Sequence, residues 1–560
     1  MNFTWLDTTI LLVYFFGLLF LGNYQIKKIK STGDFFAGKR SFNKFLMLMH
    51  NFGTGTSAED PVAVSGASFK TGFSGIWYTF IYLVTTPFYW VIAGVFRRSR
   101  FLTTTDFFEA RYSKKLGLAY TLMATVLTIF NIGAILKSTG TIATSITGGT
   151  IGEWPAIIVM TIVFVSYGTA GGLFATVMTE AIQGILIILM SIMIVPFGLI
   201  KIGGFEGLHQ NLDPSKFNIS APTELNLLWI IAASIAGLIS VVAGPTMMET
   251  NSSGKTEMEG RIGVCYGGVL KRFCALGWML SGVILLALIN KGLAEPIPDG
   301  HRELAFGAAI RTLLPTGFVG LMLSAILAAQ MSTLSAYMIA SSALVSRNVY
   351  QRYINPAASD GQILKLARIA GLVVVALGVG VAGLVSDVAD ALIIMIAINS
   401  FLGLAMWFAV LWKKASSAGV WASIIVMIPI WLILGPMGLK LHDAINGPIW
   451  LGIYGSKANL PYLLLSYLPA GIFTFIVASL LAKPMNKKKI DDFYLLITTP
   501  VGKEQVLIDN KVDMVYVGNS KGNKWEMKNY KMVDIVGFII ATIISLSFLG
   551  ILYFLANLGK

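Results

Sequence analysis

Asn51-Phe-Gly-Thr-Gly-Thr-Ser-Ala-Glu-Asp-Pro61 interrupts an apolar run with two glycines, three hydroxyls, two carboxylates and a proline. A simple membrane anchor has no use for such a segment, because every backbone group freed in hydrocarbon needs a new partner. A second break, Val241-Val-Ala-Gly-Pro-Thr-Met-Met-Glu249, puts Gly244-Pro245 inside the span that begins near Leu227. Discontinuous helices at corresponding places in two halves are how a carrier built from inverted repeats forms its site. Each break here opens a possible five-span unit, roughly residues 43–204 and 227–415. The other reading of either break is a proline kink stabilised by neighbouring helices.

The rest of the chain is written for lipid. Of its 560 residues, 55% are hydrophobic and only 12% charged, with a mean hydropathy of +0.74. Soluble proteins carry about 25% charged residues. Long apolar runs recur, as at 229–242 with extensions on both sides, 369–385 and 535–555, and about 20 such residues cross a hydrocarbon core. The runs are continuous rather than alternating, which predicts helices and not a barrel. The expected fold is an all-α polytopic membrane protein of about 14 transmembrane helices. Spans are predicted to start near Trp5, Phe45, Gly75, Leu116, Trp154, Leu173, Leu227, Val269, Thr316, Leu364, Ala389, Val420, Pro461 and Val533. This divides the chain into an extra N-terminal helix and loop (1–42), a core (43–415), two additional helices (416–485), a polar cytoplasmic insertion (486–532) and a C-terminal helix (533–560). The insertion reads as a linker with local order and receives no activity.

A net charge of +14 raises the question of nucleic acid, and its placement answers it. Lys27-Lys28-Ile29-Lys30, Arg97-Arg98-Ser99-Arg100, Lys413-Lys414 and Lys487-Lys488-Lys489 are short tracts between spans, not blocks interleaved with aromatics. They follow the positive-inside pattern and place Arg347/Arg352 on the same cytoplasmic side, with the N-terminus outside and longer outer loops at 201–225 and 440–458. The first segment lacks the basic start and cleavage site of a signal peptide and is expected to be a retained span. Cys265 and Cys274, near an inferred cytoplasmic loop, have neither metal-ligand spacing nor a disulfide pattern. The expected location is the plasma or inner membrane. The lipid bilayer and a small-molecule solute are the expected partners, with no obligatory protein partner evident.

Several segments, in order, resemble the sodium/solute symporter family. These are Asp34-Phe-Phe-Ala-Gly-Lys-Arg-Ser41, Thr56-Ser-Ala-Glu-Asp60, Gly66-Ala-Ser-Phe-Lys-Thr-Gly72 and Gly75-Ile-Trp77. Further along come Tyr167-Gly-Thr-Ala-Gly-Gly-Leu173, Thr179-Glu-Ala-Ile-Gln-Gly184, Leu327-Ala-Ala-Gln-Met-Ser-Thr-Leu-Ser335 and Arg347-Asn-Val-Tyr-Gln-Arg-Tyr353. The resemblance covers roughly residues 8–415. It implies a LeuT-like 5+5 inverted repeat with extra helices at both ends, and sodium-coupled symport of a small polar organic solute, a sugar or a carboxylate-bearing compound, by alternating access.

By the same resemblance, sodium is bound by carbonyls of Gly53 and Thr56 from the unwound first core helix. The carbonyl of Ala329 and the hydroxyls of Ser332 and Thr333 complete the set. The chemistry is compatible. Unwinding, which Gly53 and Gly55 permit, frees carbonyls for a hard cation, and 329, 332 and 333 share one helix face. The alternative is that both hydroxyls back-bond within their own helix. Glu180 resembles the family's acidic residue on the sodium exit path; an intramembrane carboxylate is functional by default, unless it snorkels at the cytoplasmic end. Glu59 and Asp60 fall where the family contacts its solute, and Trp77 is expected to border the solute beside them. Asp60 replaces a glutamine of the sugar-transporting relatives, and Gly244 and Pro245 replace their Asn-Gln, so sugar specificity does not transfer directly. Lys137, read as mid-span, is expected to face the cavity and pair with Glu59 or Asp60, either as a structural pair or as a clamp on a carboxylate of the solute. His50 reads as a hydrogen-bonded structural residue or, alternatively, a proton carrier. The expected cycle has sodium ordering the 53–56 break from outside, the solute binding beside it, and sodium leaving past Glu180.

Other classes fit less well. A proton-coupled carrier of the same fold would use Lys137 or His50 as its cation. A membrane-embedded enzyme needs a His/Asp or acidic metal motif, and none of the four histidines pairs with an acid at catalytic spacing within a span. Residues 33–39 approach a phosphate-binding loop, but Arg40 stands where the hydroxyl belongs and no strand precedes it.

Overall fold

The computed structural model describes residues 3–24, 31–221, 225–298, 300–384, 388–435, 460–518 and 522–560. The basic tract at 27–30 and the outer loop at 440–458 lie outside the described residues. The architecture is all-α. The principal helices are α1 (Trp5–Tyr24), α2 (Lys44–Thr54), α3 (Glu59–Thr71), α4 (Thr86–Arg98) and α5 (Lys114–Ile146), followed by α6 (Glu153–Ile202), α7 (Leu227–Val241), α8 (Met247–Ser252), α9 (Glu257–Asn290) and α10 (Phe318–Ala343). The chain closes with α11 (Asp360–Ala382), α12 (Val388–Leu411), α13 (Ser417–Leu434), α14 (Leu460–Leu481) and α15 (Lys524–Asn557). Among the described residues, nine helical stretches are long and apolar enough to cross a membrane, and four shorter apolar helices accompany them.

Both expected breaks are real gaps. The first separates α2 from α3 across residues 55–58, and the second separates α7 from α8 across residues 242–246. At the second gap, the Tyr120 hydroxyl donates to the Ala243 carbonyl at 2.9 Å, so a side chain from α5 satisfies a carbonyl there. A third interruption falls inside α6. Gly172 sits at φ 53°, and a Cβ there would run into Phe35; only glycine tolerates both constraints.

The helix α9 is the central strut. It packs along α2, α3, α4 and α6. Gly263, Gly277 and Gly282 bring its backbone against Met47, Ser191 and Ser65 so closely that no Cβ fits, the small-residue packing that lets membrane helices approach. α10 lies along α6 and also meets α2. At one end, α1 is fastened to α10 by the Asp7 carboxylate, which accepts the N–H groups of Gly317 at 2.9 Å and Gly320 at 2.7 Å.

Among the described residues, the basic clusters at 97–100, 413–414 and 487–489 meet at one end of the bundle, but they are built into it. Arg111 donates to the carbonyls of Ala409, Trp412 and Lys413, and Lys489 to that of Tyr112. Arg98 and Arg261 share Glu257, and Arg261 also reaches Glu526 and Asp534 on α15. The stretch 486–532 contains helices Lys487–Thr498 and Glu504–Asp509. They dock on the bundle through Phe493 against Phe107 and through Arg100, as described below.

Candidate functional site

The gap after α2 faces α10 and α6. The Thr333 hydroxyl lies 3.2 Å from the Thr54 carbonyl, 3.5 Å from that of Gly53 and 3.3 Å from that of Ala329, four residues back in its own helix. The Ser332 hydroxyl donates not to its own helix but to Glu180 at 2.9 Å. The Thr56 N–H donates to the Gly53 carbonyl at 3.1 Å. The Gly53 and Ala329 carbonyls and the Thr333 hydroxyl thus meet, with the Ser332 hydroxyl beside Gly53 and Thr56 joined to Gly53 through its N–H.

Glu180 does not snorkel. It is 0% exposed and holds three partners: the Ser332 hydroxyl, the Thr54 hydroxyl at 3.0 Å, and Nδ1 of the fully buried His50. His50 is thus a hydrogen-bonded residue that orients Glu180, tying the break in α2 to α6.

A cavity of about 380 Å³ opens beside this cluster. Its wall includes Glu59, Asp60, Gly244 and Thr333, with Lys271 and Arg272 from α9. Lys271 places its ammonium 2.7 Å from Asp60 Oδ2 and 2.5 Å from the Gly55 carbonyl. Asp60 also accepts the Ser57 N–H at 3.1 Å. Arg272 is 5% exposed and stacks its guanidinium 5.4 Å from the Tyr82 ring centre. Its Nε and Nη1 have no hydrogen-bond partner among the described residues, and neither has Glu59 Oε2.

The expected pairing of Lys137 is corrected. Its partner is Glu153 at 2.5 Å, with both side chains about a quarter or more exposed, and it does not line the cavity. Helix α5 has 33 residues and so extends about 50 Å. Lys137 stands toward its far end, where Glu153 begins the next helix. Trp77 and Pro245 do not line the cavity either; the Trp77 indole donates to the Ile219 carbonyl at 2.6 Å.

Lys271 and Arg272 escaped the sequence reading because the span was expected to begin near Val269, making them flanking cations. Helix α9 starts at Glu257 with a Thr256 capping box, which puts both cations about 20 Å along it. The signal was there in the Thr256-Glu-Met-Glu259 start. The same correction moves Cys265 and Cys274 from a loop's edge to the buried interior of α9.

Two broken helices with their gaps at a cavity whose apolar wall carries a few charged side chains, within a multi-pass apolar bundle, define a membrane transporter. Residues 35–426 match the Sodium:solute symporter family, and the chain belongs to that family. It is 24% identical to the sodium/glucose cotransporter of Vibrio parahaemolyticus, over 74% of this chain and 81% of that one. It is equally 24% identical to the sodium/pantothenate symporter of Haemophilus influenzae (78% and 91% covered) and the sodium/proline symporter of Escherichia coli (82% and 93%). Among solved structures, it is similar to a Na+-coupled sialic acid symporter in a substrate-bound outward-open state, with a TM-score of 0.73 at 18% identity, covering 87% of this chain and 100% of that one. The all-α polytopic class and the LeuT-like fold hold, and sodium is the co-transported ion.

Proposed function

We propose that this chain imports a small polar solute bearing a carboxylate, driven by sodium, and that Arg272 receives the carboxylate. The observation that carries this reading is the pair of unmatched Arg272 donors, Nε and Nη1, on the cavity wall. A buried arginine with unmatched donors is costly unless a partner arrives, and a charge-assisted hydrogen bond to a carboxylate supplies one. Asp60 is already engaged by Lys271, which leaves the solute as the partner for Arg272. Glu59 Oε2 would accept a hydroxyl or ammonium of the same solute. Proline, pantothenate and sialic acid, named for three of the similar proteins, are carboxylates; glucose is not.

Sodium would sit among the Gly53, Thr56 and Ala329 carbonyls and the Ser332 and Thr333 hydroxyls. Its charge would draw the Thr54–Gly53 carbonyls off the Thr333 hydroxyl and fix the break that borders the cavity. Glu180, touching Ser332, gives the ion its next oxygen on the way in. The end of the bundle that gathers the arginines and the 486–532 insertion would be cytoplasmic by the positive-inside rule, with the N-terminus outside. A membrane potential contributes about 2.3 kcal/mol per charge per 100 mV.

The test is competition for sodium-driven uptake into proteoliposomes, with panels of carboxylates, amino acids and neutral sugars, in wild type and Arg272→Gln. Carboxylates alone should compete, and the variant should raise KM on the order of a hundredfold, the cost of an unmatched buried polar partner. Competition by neutral sugars as strong as by carboxylates would overturn the reading.

A further inference from the structure

Lys271 makes an unusual pair of contacts. Its ammonium rests on a backbone carbonyl of the unwound segment, Gly55, and on a carboxylate in the first turn of the following helix, Asp60. Hard oxygens of this kind, a carbonyl released by a helix break together with a carboxylate, are what an alkali cation binds in a carrier of this architecture. The break therefore presents two oxygen sets. The one at Gly53 and Thr54 is met by the neutral hydroxyl of Thr333 and has room for an ion's charge. The one at Gly55 and Asp60 already holds a full positive charge on a covalent tether.

We propose that the Lys271 ammonium is a built-in substitute for a second transported cation, so that the carrier takes one sodium ion per cycle. A sodium ion at Gly55 and Asp60 would stand within a few ångströms of the ammonium, and two like charges at that separation in a low-dielectric wall repel strongly. The tether also joins α9 to the break. The Asp60 charge is therefore balanced in every state of the cycle in which that contact persists, without drawing on the ion gradient. The competing view makes Lys271–Asp60 an ordinary ion pair that merely bridges two helices; it predicts no change in ion number when the lysine is removed.

The inference rests on sodium coupling and not on Arg272, and its test needs no solute. Equilibrium binding of radioactive sodium to purified protein counts ions directly. Wild type should bind one. Lys271→Met should bind two, with the Hill coefficient of sodium-dependent thermal stabilisation rising from about 1 toward 2. Adding Asp60→Asn to that variant should bring the count back to one. Lys271→Gln, which keeps most of the stem and a donor for the Gly55 carbonyl, serves as the second variant should methionine not yield folded protein, and it too should bind two. Two ions in wild type, or one in both lysine variants, overturns the proposal. Wild type that binds sodium but shows no carboxylate preference leaves it standing and removes only the Arg272 reading.

Discussion

A Cβ placed on Gly53 would stand 2.7 Å from the hydroxyl of Ser332. The remaining neighbours of that Cβ are at ordinary contact distance, so an alanine there is accommodated by turning one serine side chain. That side chain donates to Glu180 and belongs to the proposed sodium set. Gly53→Ala should accordingly weaken sodium affinity roughly tenfold while leaving stability in sodium-free buffer nearly unchanged, since alanine is the better helix former. On a Ser332→Ala background the same change should cost nothing further, because residues in contact do not add. Sodium titrations of the melting temperature for the two single variants and the double variant measure this; simple additivity would show that the contact is not the cause.

Lys137→Ala should be almost silent. The Lys137–Glu153 pair is about a quarter exposed, and such pairs contribute up to about 1 kcal/mol. Uptake KM should stay within about twofold of wild type, in contrast to Arg272→Gln. A tenfold loss would return Lys137 to the solute.

The two broken helices could be read from the chain because glycine, proline and clustered oxygens have no place in an unbroken apolar helix. The proposed sodium oxygens came from the family resemblance, with which one such break and residues 329, 332 and 333 on one face are compatible. The cations of the cavity could not be read the same way. Hydropathy locates a span by its apolar centre, and α9 carries Lys271 and Arg272 within a helix that starts fourteen residues earlier at Glu257. Lys137 shows the converse error: the helix outruns the hydrocarbon, so a residue that looks central by span prediction sits near an end. Pairings such as Lys271–Asp60, 211 positions apart, depend on how α9 crosses α3, which no local pattern encodes.

Arg100 fastens the 486–532 insertion to the bundle. Its side chain is fully buried and donates to the carbonyls of Arg98, Leu496, Thr499 and Pro500 and to Glu504 at 2.9 Å. Removing it strands those acceptors and the buried end of Glu504. Arg100→Ala should destabilise the docked insertion by about 3 kcal/mol, speeding limited proteolysis between residues 486 and 518 more than a hundredfold when cleavage tracks local opening. Sodium binding should be unaffected. Equal protease resistance would mean that the helical contacts around Phe493 hold the insertion alone.

Asp106 makes the same end of the protein sensitive to acid. Burial by itself would raise the pKa of this carboxyl, but Arg347 at 2.9 Å and the N–H groups of Leu102 and Thr103 outweigh it and hold it below the usual carboxylate range. Its folded form therefore gives up its proton at lower pH than its unfolded form. The stabilisation is complete above the unfolded value of about 4 and is lost as pH falls through the folded one. Thermal scans of wild type should fall steeply below about pH 4, whereas Asp106→Asn, about 1–2 kcal/mol less stable at neutral pH through loss of the charged partner, should show a flatter profile in that window. Parallel profiles would mean that the carboxylate is not held low.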